Sequence, residues 1–159
     1  MARRGPTPKR KVEPDPIYRN RVVTKFINRS MYDGRKNVAA RQLYEALEKL
    51  EKEVKKPALE AFLAAVEKVR PNMEVRPRRI GGAAYQVPMP VRGERKEALA
   101  IRWLVQAARK RPNGEYKTYG AKLAAELAEA YRGEGGAVKK KEEMQRMAEA
   151  NKAFAHFRW

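Results

Sequence analysis

Between residues 72 and 91 the apolar side chains recur at every second position, whereas on both sides they recur at steps of three and four. Met73 and Val75, then Tyr85, Val87, Met89 and Val91, alternate with polar residues or proline. Period two places successive side chains on opposite faces of an extended strand, so the two runs predict a hairpin closed around Gly81-Gly82-Ala83-Ala84. Pro77, Pro88 and Pro90 cannot donate to a ladder and belong on open edges. An isolated two-stranded ribbon is marginal in water. One that carries Arg76, Arg78 and Arg79 is best explained as an arm lying on an anionic neighbour, dispensable for folding itself.

The flanking segments predict helices. The first, from Tyr18 to Met31, turns Val22, Phe26 and Ile27 inward and ends at Asp33-Gly34. The second, Lys36 to Lys55, puts Val38, Leu43, Leu47, Leu50 and Val54 on one stripe. Pro57 suits the first turn of a third helix, in which Leu59, Phe62, Val66 and Val69 recur until Pro71. A fourth runs from Arg92 to Lys110 around Leu99, Trp103 and Leu104, and a fifth from Tyr119 to Arg132 around Leu123, Leu127 and Tyr131. Gly133, Gly135 and Gly136 suggest a hinge before a last helix from Lys141 to Phe154. The fold class is therefore mainly α: one domain of about six helices, residues 17–159, with a protruding two-stranded hairpin at about 72–91 and a basic arm over residues 1–16. That arm has almost nothing apolar to bury and should fold only onto a partner.

Charge is distributed unevenly over this plan. Thirty-seven Lys and Arg face nineteen Asp and Glu, for a formal net charge of +18. Residues 1–36 carry a net +8 and residues 70–96 a net +5, while residues 37–69 are neutral. Segregated charge of this kind is the footprint of nucleic-acid binding, because Lys and Arg release the counterions condensed on phosphates. The candidate contacts are Arg3, Arg4, Lys9, Arg10 and Lys11 in the arm; Arg21, Lys25 and Arg29 in the first helix; and Arg35 and Lys36 after it. Arg76, Arg78 and Arg79 in the hairpin and Arg92, Arg95, Lys96 and Arg102 in the fourth helix join them. So do Lys139, Lys140 and Lys141, whose place at a helix start opposes the macrodipole unless a phosphate approaches. The closing Phe154-Ala155-His156-Phe157-Arg158-Trp159 could stack on bases or dock on protein.

Catalysis finds no support. There is no cysteine, hence no disulfide or thiolate zinc site, and the one histidine, His156, has no triad partners nearby. The carboxylates lie on helix faces at ion-pair spacing, which reads as solvated surface. No cofactor or metal is implied. No long apolar run, signal-peptide core or lipidation motif suggests a membrane, and the plain expectation is a cytoplasmic protein. A DNA-bending protein would insert an apolar or proline wedge from its ribbon, which Gly-Gly-Ala-Ala does not offer. An RNA-modifying enzyme would need a cofactor loop or catalytic cluster.

The hairpin run Met73-Glu74-Val75-Arg76-Pro77-Arg78-Arg79-Ile80-Gly81-Gly82-Ala83-Ala84-Tyr85-Gln86-Val87-Pro88 resembles that of the bacterial ribosomal protein S-seven family. So do Ala100-Ile101-Arg102-Trp103-Leu104, Asp33-Gly34-Arg35-Lys36-Asn37, the stretch from Gly135 to Glu142 and the end from Met147 to Trp159. Arg35 stands where the family usually has lysine, and Gln42 where it is usually apolar. The resemblance implies a primary binder of the 3′ major domain of small-subunit ribosomal RNA that nucleates assembly of the subunit head. It implies a place near exit-site transfer RNA and the messenger RNA path, with Gly81, Gly82 and Tyr85 in the exit-site arm. It also implies the ninth and eleventh small-subunit proteins as neighbours, and in some bacteria repression of the protein's own operon messenger.

Overall fold

The computed structural model describes residues 12–157. Helices α1 (Arg21–Ser30), α2 (Lys36–Val54) and α3 (Ala58–Val69) precede strands β1 (Met73–Ile80) and β2 (Ala83–Pro90). Then come α4 (Glu94–Lys110), α5 (Tyr119–Arg132), α6 (Gly135–Ala150) and a 3-10 turn, η1 (Lys152–Phe157). The expectation of a mainly helical domain with one antiparallel hairpin is met.

Helix α5 lies at the centre, touching α2, α3, α4 and α6, and its Leu123 and Leu127 are fully buried. Around it Leu43, Leu47 and Leu50 of α2, Phe62 and Val66 of α3 and Leu104 of α4 close one core. Phe26 of α1 meets Phe62 edge-on, with ring centroids 5.5 Å apart. Val38, placed by periodicity on the α2 stripe, is instead 58% exposed in the first turn of α2, and burial begins at Ala39. The start of α1 is set by Asn20, whose side chain accepts from Val22 N at 2.7 Å. Gln42, the polar departure on α2, accepts from Gly120 N at 2.8 Å and so caps the first turn of α5. The two helices approach so closely there that a Cβ on Gly120 would lie 3.0 Å from the Gln42 carbonyl oxygen.

The chain before α1 is also tied down. Asp15 is only 3% exposed and accepts from Ile17 N, Tyr18 N and the Tyr44 hydroxyl, the last at 2.7 Å. Burial first, then the hydrogen bond to Asp15, pushes the Tyr44 phenol up to about 12. Asp15 thus belongs with the helical body, although the sequence assigns it to the unpacked arm. A lone carboxylate among prolines does not reveal a tyrosine partner twenty-nine positions away. The arm residues Arg3, Arg4, Lys9, Arg10 and Lys11 lie outside the described residues.

The hairpin pairs Ile80 with Ala83 across Gly81-Gly82, whose φ values of +56° and +89° suit the tight two-residue turn that matches strand twist. Its far end is less free than the period-two pattern suggests. Val87 is fully buried, Glu74 is 5% exposed, and Tyr85 packs on Phe154 and Phe157 with centroids 5.2 and 5.8 Å away. Both strands touch α6, so the base of the ribbon is part of the body and only its tip projects.

A further difference concerns α6. It begins at Gly135, not Lys141, so Gly135 and Gly136 are its first turn rather than a hinge, and Lys139–Lys141 sit in its second turn. The cause is a carboxylate from the neighbouring helix: Glu126 Oε1 accepts from Ala137 N at 2.9 Å, supplying the cap the local sequence lacks. That weakens the macrodipole argument for a phosphate at these lysines, since the effect fades within the first turn.

Candidate nucleic-acid interface

Two sunken carboxylates gather cations from distant parts of the chain. Glu97 on α4 receives Lys25 of α1 at 2.7 Å and Arg70 at 3.4 Å. Glu74 of β1 receives Arg76 and, at 2.8 Å, Arg95 of α4. Lys96 donates to Asn72 at 2.9 Å, and Lys25, Arg29 and Arg102 line one groove between α1 and α4. The result is a continuous belt from α1 across the first turns of α4 to the hairpin base. Seven cations (Lys25, Arg29, Arg70, Arg76, Arg95, Lys96 and Arg102) face four carboxylates, Glu67, Glu74, Glu94 and Glu97. The ion pairs hold the belt's geometry, while the unbalanced cations give it its sign.

The remaining sequence candidates divide by position. Arg21, Arg29, Arg35, Lys36, Arg79 and Arg92 are exposed. Arg78 lies half-buried on the hairpin, Gly81 and Gly82 are exposed at its tip, and Tyr85 is half-buried against η1. Lys139 is exposed, Lys140 pairs with Glu143 at 2.7 Å, and Lys141 donates to the Lys68 carbonyl oxygen at 2.7 Å. The hydrogen bond from Lys140 and its charge hold the Glu143 carboxyl below its ordinary range. Lys139 and Lys140 share a cleft between α4 and α6 with Lys110 and Arg146, which the sequence did not single out. Arg109 was also missed. It sits half-buried at the end of α4 and donates to the Ser30 carbonyl oxygen at 3.1 Å. Only its crowding against the end of α1 distinguishes it from Lys110, and that is a tertiary fact.

Not every charge faces solvent. Arg111 donates to Glu126 at 2.7 Å and to Glu129 at 2.5 Å, with Glu126 only 2% exposed. Burial lowers the Arg111 pKa, but the bonds to Glu129 and Glu126 outweigh it and the net shift is upward. Lys122, 9% exposed, donates to the Arg111 carbonyl oxygen at 2.6 Å and to Asn113 at 2.5 Å. The expectation that carboxylates sit on solvated faces therefore fails at Glu126 and Glu74, which are structural acceptors. Among the described residues no group of His, Asp and Glu is placed to hold a metal ion. No helix among them is long and apolar enough to cross a membrane.

Fold and charge together define a class: basic helical proteins with a single β-ribbon arm, their cations ordered by internal ion pairs. Within that class the match is specific. The family model for ribosomal protein S7p/S5e matches residues 2–152. The protein called small ribosomal subunit protein uS7 from Nitratidesulfovibrio vulgaris (strain Miyazaki F) is 56% identical over 159 residues, covering 100% of both chains. Those of Carboxydothermus hydrogenoformans and Symbiobacterium thermophilum are each 55% identical over the same full length. The chain belongs to the ribosomal protein S7p/S5e family, whose members are structural ribosomal proteins and not enzymes.

Proposed function

We propose that this chain is a structural protein of the small ribosomal subunit that binds the 3′ major domain of the subunit's RNA and nucleates assembly of the head. In that reading the hairpin tip, Gly81 and Gly82, lies near exit-site transfer RNA and the messenger RNA path, and the ninth and eleventh small-subunit proteins are neighbours. The observation that carries it is the belt, where α1, β1, α4 and the end of α3 present seven cations against four carboxylates on one surface. Phosphates neutralise such an excess with release of counterions, and the ribbon extends the contact beyond the body. Full-length likeness to proteins named for the small ribosomal subunit supports the choice of RNA. The charge of Arg3, Arg4, Lys9, Arg10 and Lys11, outside the described residues, favours the same RNA partner.

The test is the salt dependence of binding to a transcript of the 3′ major domain, with duplex DNA as competitor. Neutralising about 6–8 phosphates, at roughly 0.7–0.9 ions released per phosphate, gives a slope of log K against log salt of about −4 to −7. A slope shallower than about −2, or equal competition by duplex DNA, refutes the reading.

A further inference from the structure

The loop between α1 and α2 presents an aromatic ring to solvent in an otherwise cationic neighbourhood. Tyr32 is 65% exposed, the most exposed large apolar side chain among the described residues. The Arg109 guanidinium lies over one face of its ring, 4.1 Å from the centroid. Arg109 is itself held, donating to the Ser30 carbonyl oxygen at 3.1 Å, while Ser30 Oγ and the Tyr119 hydroxyl share a hydrogen bond of 3.1 Å. The loop is equally constrained. Arg35 N donates to the Tyr32 carbonyl oxygen at 2.9 Å, across Asp33 and Gly34 with φ of +49° and +72°. This tight turn brings exposed Arg35 back beside Tyr32.

We infer that Tyr32 is a stacking platform for one unpaired RNA base, with Arg109 fixing the ring from behind and Arg35 receiving the adjacent phosphate. The inference rests on the RNA-binding reading above and adds a recognition element that charge alone does not supply. A planar ring, covered on one face by a pinned guanidinium and open on the other, loses little freedom when a base stacks on it. Any base offers a π-face, so the platform selects for an unstacked nucleotide, not for sequence. Within the loop and the cation behind it, Arg35 and Arg109 against Asp33 favour nucleic acid over a protein groove.

The experiment measures binding of the full chain and two variants to the 3′ major domain transcript over a salt series. Tyr32→Leu removes the ring but no charge, and Tyr32→Phe keeps the ring. Stacking on aromatic side chains predicts a loss of about 5- to 150-fold for Tyr32→Leu and less than about twofold for Tyr32→Phe, with the salt slope unchanged. Melting temperatures of both should match the parent, because the side chain is exposed. Unchanged affinity for Tyr32→Leu overturns the platform while leaving the belt intact. Equal losses for both variants overturn it in favour of a hydroxyl contact. A shallow salt slope in the parent chain instead removes the RNA reading on which the platform depends.

Discussion

The carboxylate of Glu126 carries three elements at once, and its removal offers the sharpest test of the fold's energetics. Oε2 accepts from Arg111 Nε at 3.0 Å and Nη2 at 2.7 Å, which ties α5 to the end of α4. Oε1 accepts from Ala137 N at 2.9 Å, which seats α6. With Glu126 2% exposed and the Arg111 side chain 13% exposed, Glu126→Ala leaves a largely buried guanidinium with one remaining carboxylate, Glu129, and a longer bond of 3.4 Å to the Tyr116 hydroxyl. Breaking a buried pair from one side costs about 3–5 kcal/mol, and the surviving Glu129 contact argues for the lower end, about 3 kcal/mol. Glu126→Gln has one acceptor oxygen where Glu126 has two, so it keeps either Ala137 N or Arg111 and turns an NH2 donor toward the other, and it should cost roughly 2 kcal/mol, less than Glu126→Ala. Pairing Glu126→Ala with Arg111→Met removes the stranded cation, and the double variant should be less destabilised than the sum by at least about 1 kcal/mol. Urea denaturation followed by circular dichroism gives each value, provided the m-value stays constant. A cost below about 1 kcal/mol for Glu126→Ala, or strict additivity in the double variant, would refute the claim that this carboxylate organises the junction.

Two further expectations follow from burial and titration. Leu47→Ala and Phe62→Ala, each at a position with 0% exposure, should cost about 2–5 kcal/mol through the cavities they leave, and unchanged melting would place the core elsewhere. The Tyr44 phenol is raised from 10.0 to about 12, so the folded state holds its proton more tightly than the unfolded chain. The corresponding stability is fully present below pH 10 and is lost as pH rises through 12. Two units at about 1.36 kcal/mol each, discounted for the partly solvated ring, amount to about 1–2 kcal/mol. Urea melts at pH 8, 10 and 11.5 should show this loss in the parent chain and a smaller one in Tyr44→Phe. An equal pH dependence in both would remove Tyr44 as its source.

The hydrophobic periods determined which elements form and in what order, because steps of three and four or of two depend only on backbone geometry. Leu43, Leu47 and Leu50 of α2, Phe62 and Val66 of α3 and Leu123 and Leu127 of α5 all occupy the core their spacing implied. Turn chemistry likewise placed the bend at Gly81-Gly82. Net charge and its concentration in residues 1–36 and 70–96 were legible for the same reason: both are sums over the chain and need no coordinates. What periodicity could not supply was anything set by a partner far along the chain. The start of α6 depends on Glu126 in another helix, and Asp15 is anchored by Tyr44. Gln42 caps α5, and Val38 stays exposed in the first turn of α2. The tertiary structure alone decided which charges are internal ties and which face outward. Glu74, Glu97 and Glu126 look like any helix or strand carboxylate until packing removes water from around them. A carboxylate and a guanidinium interact according to their separation and solvent access, and neither quantity is written in the order of residues.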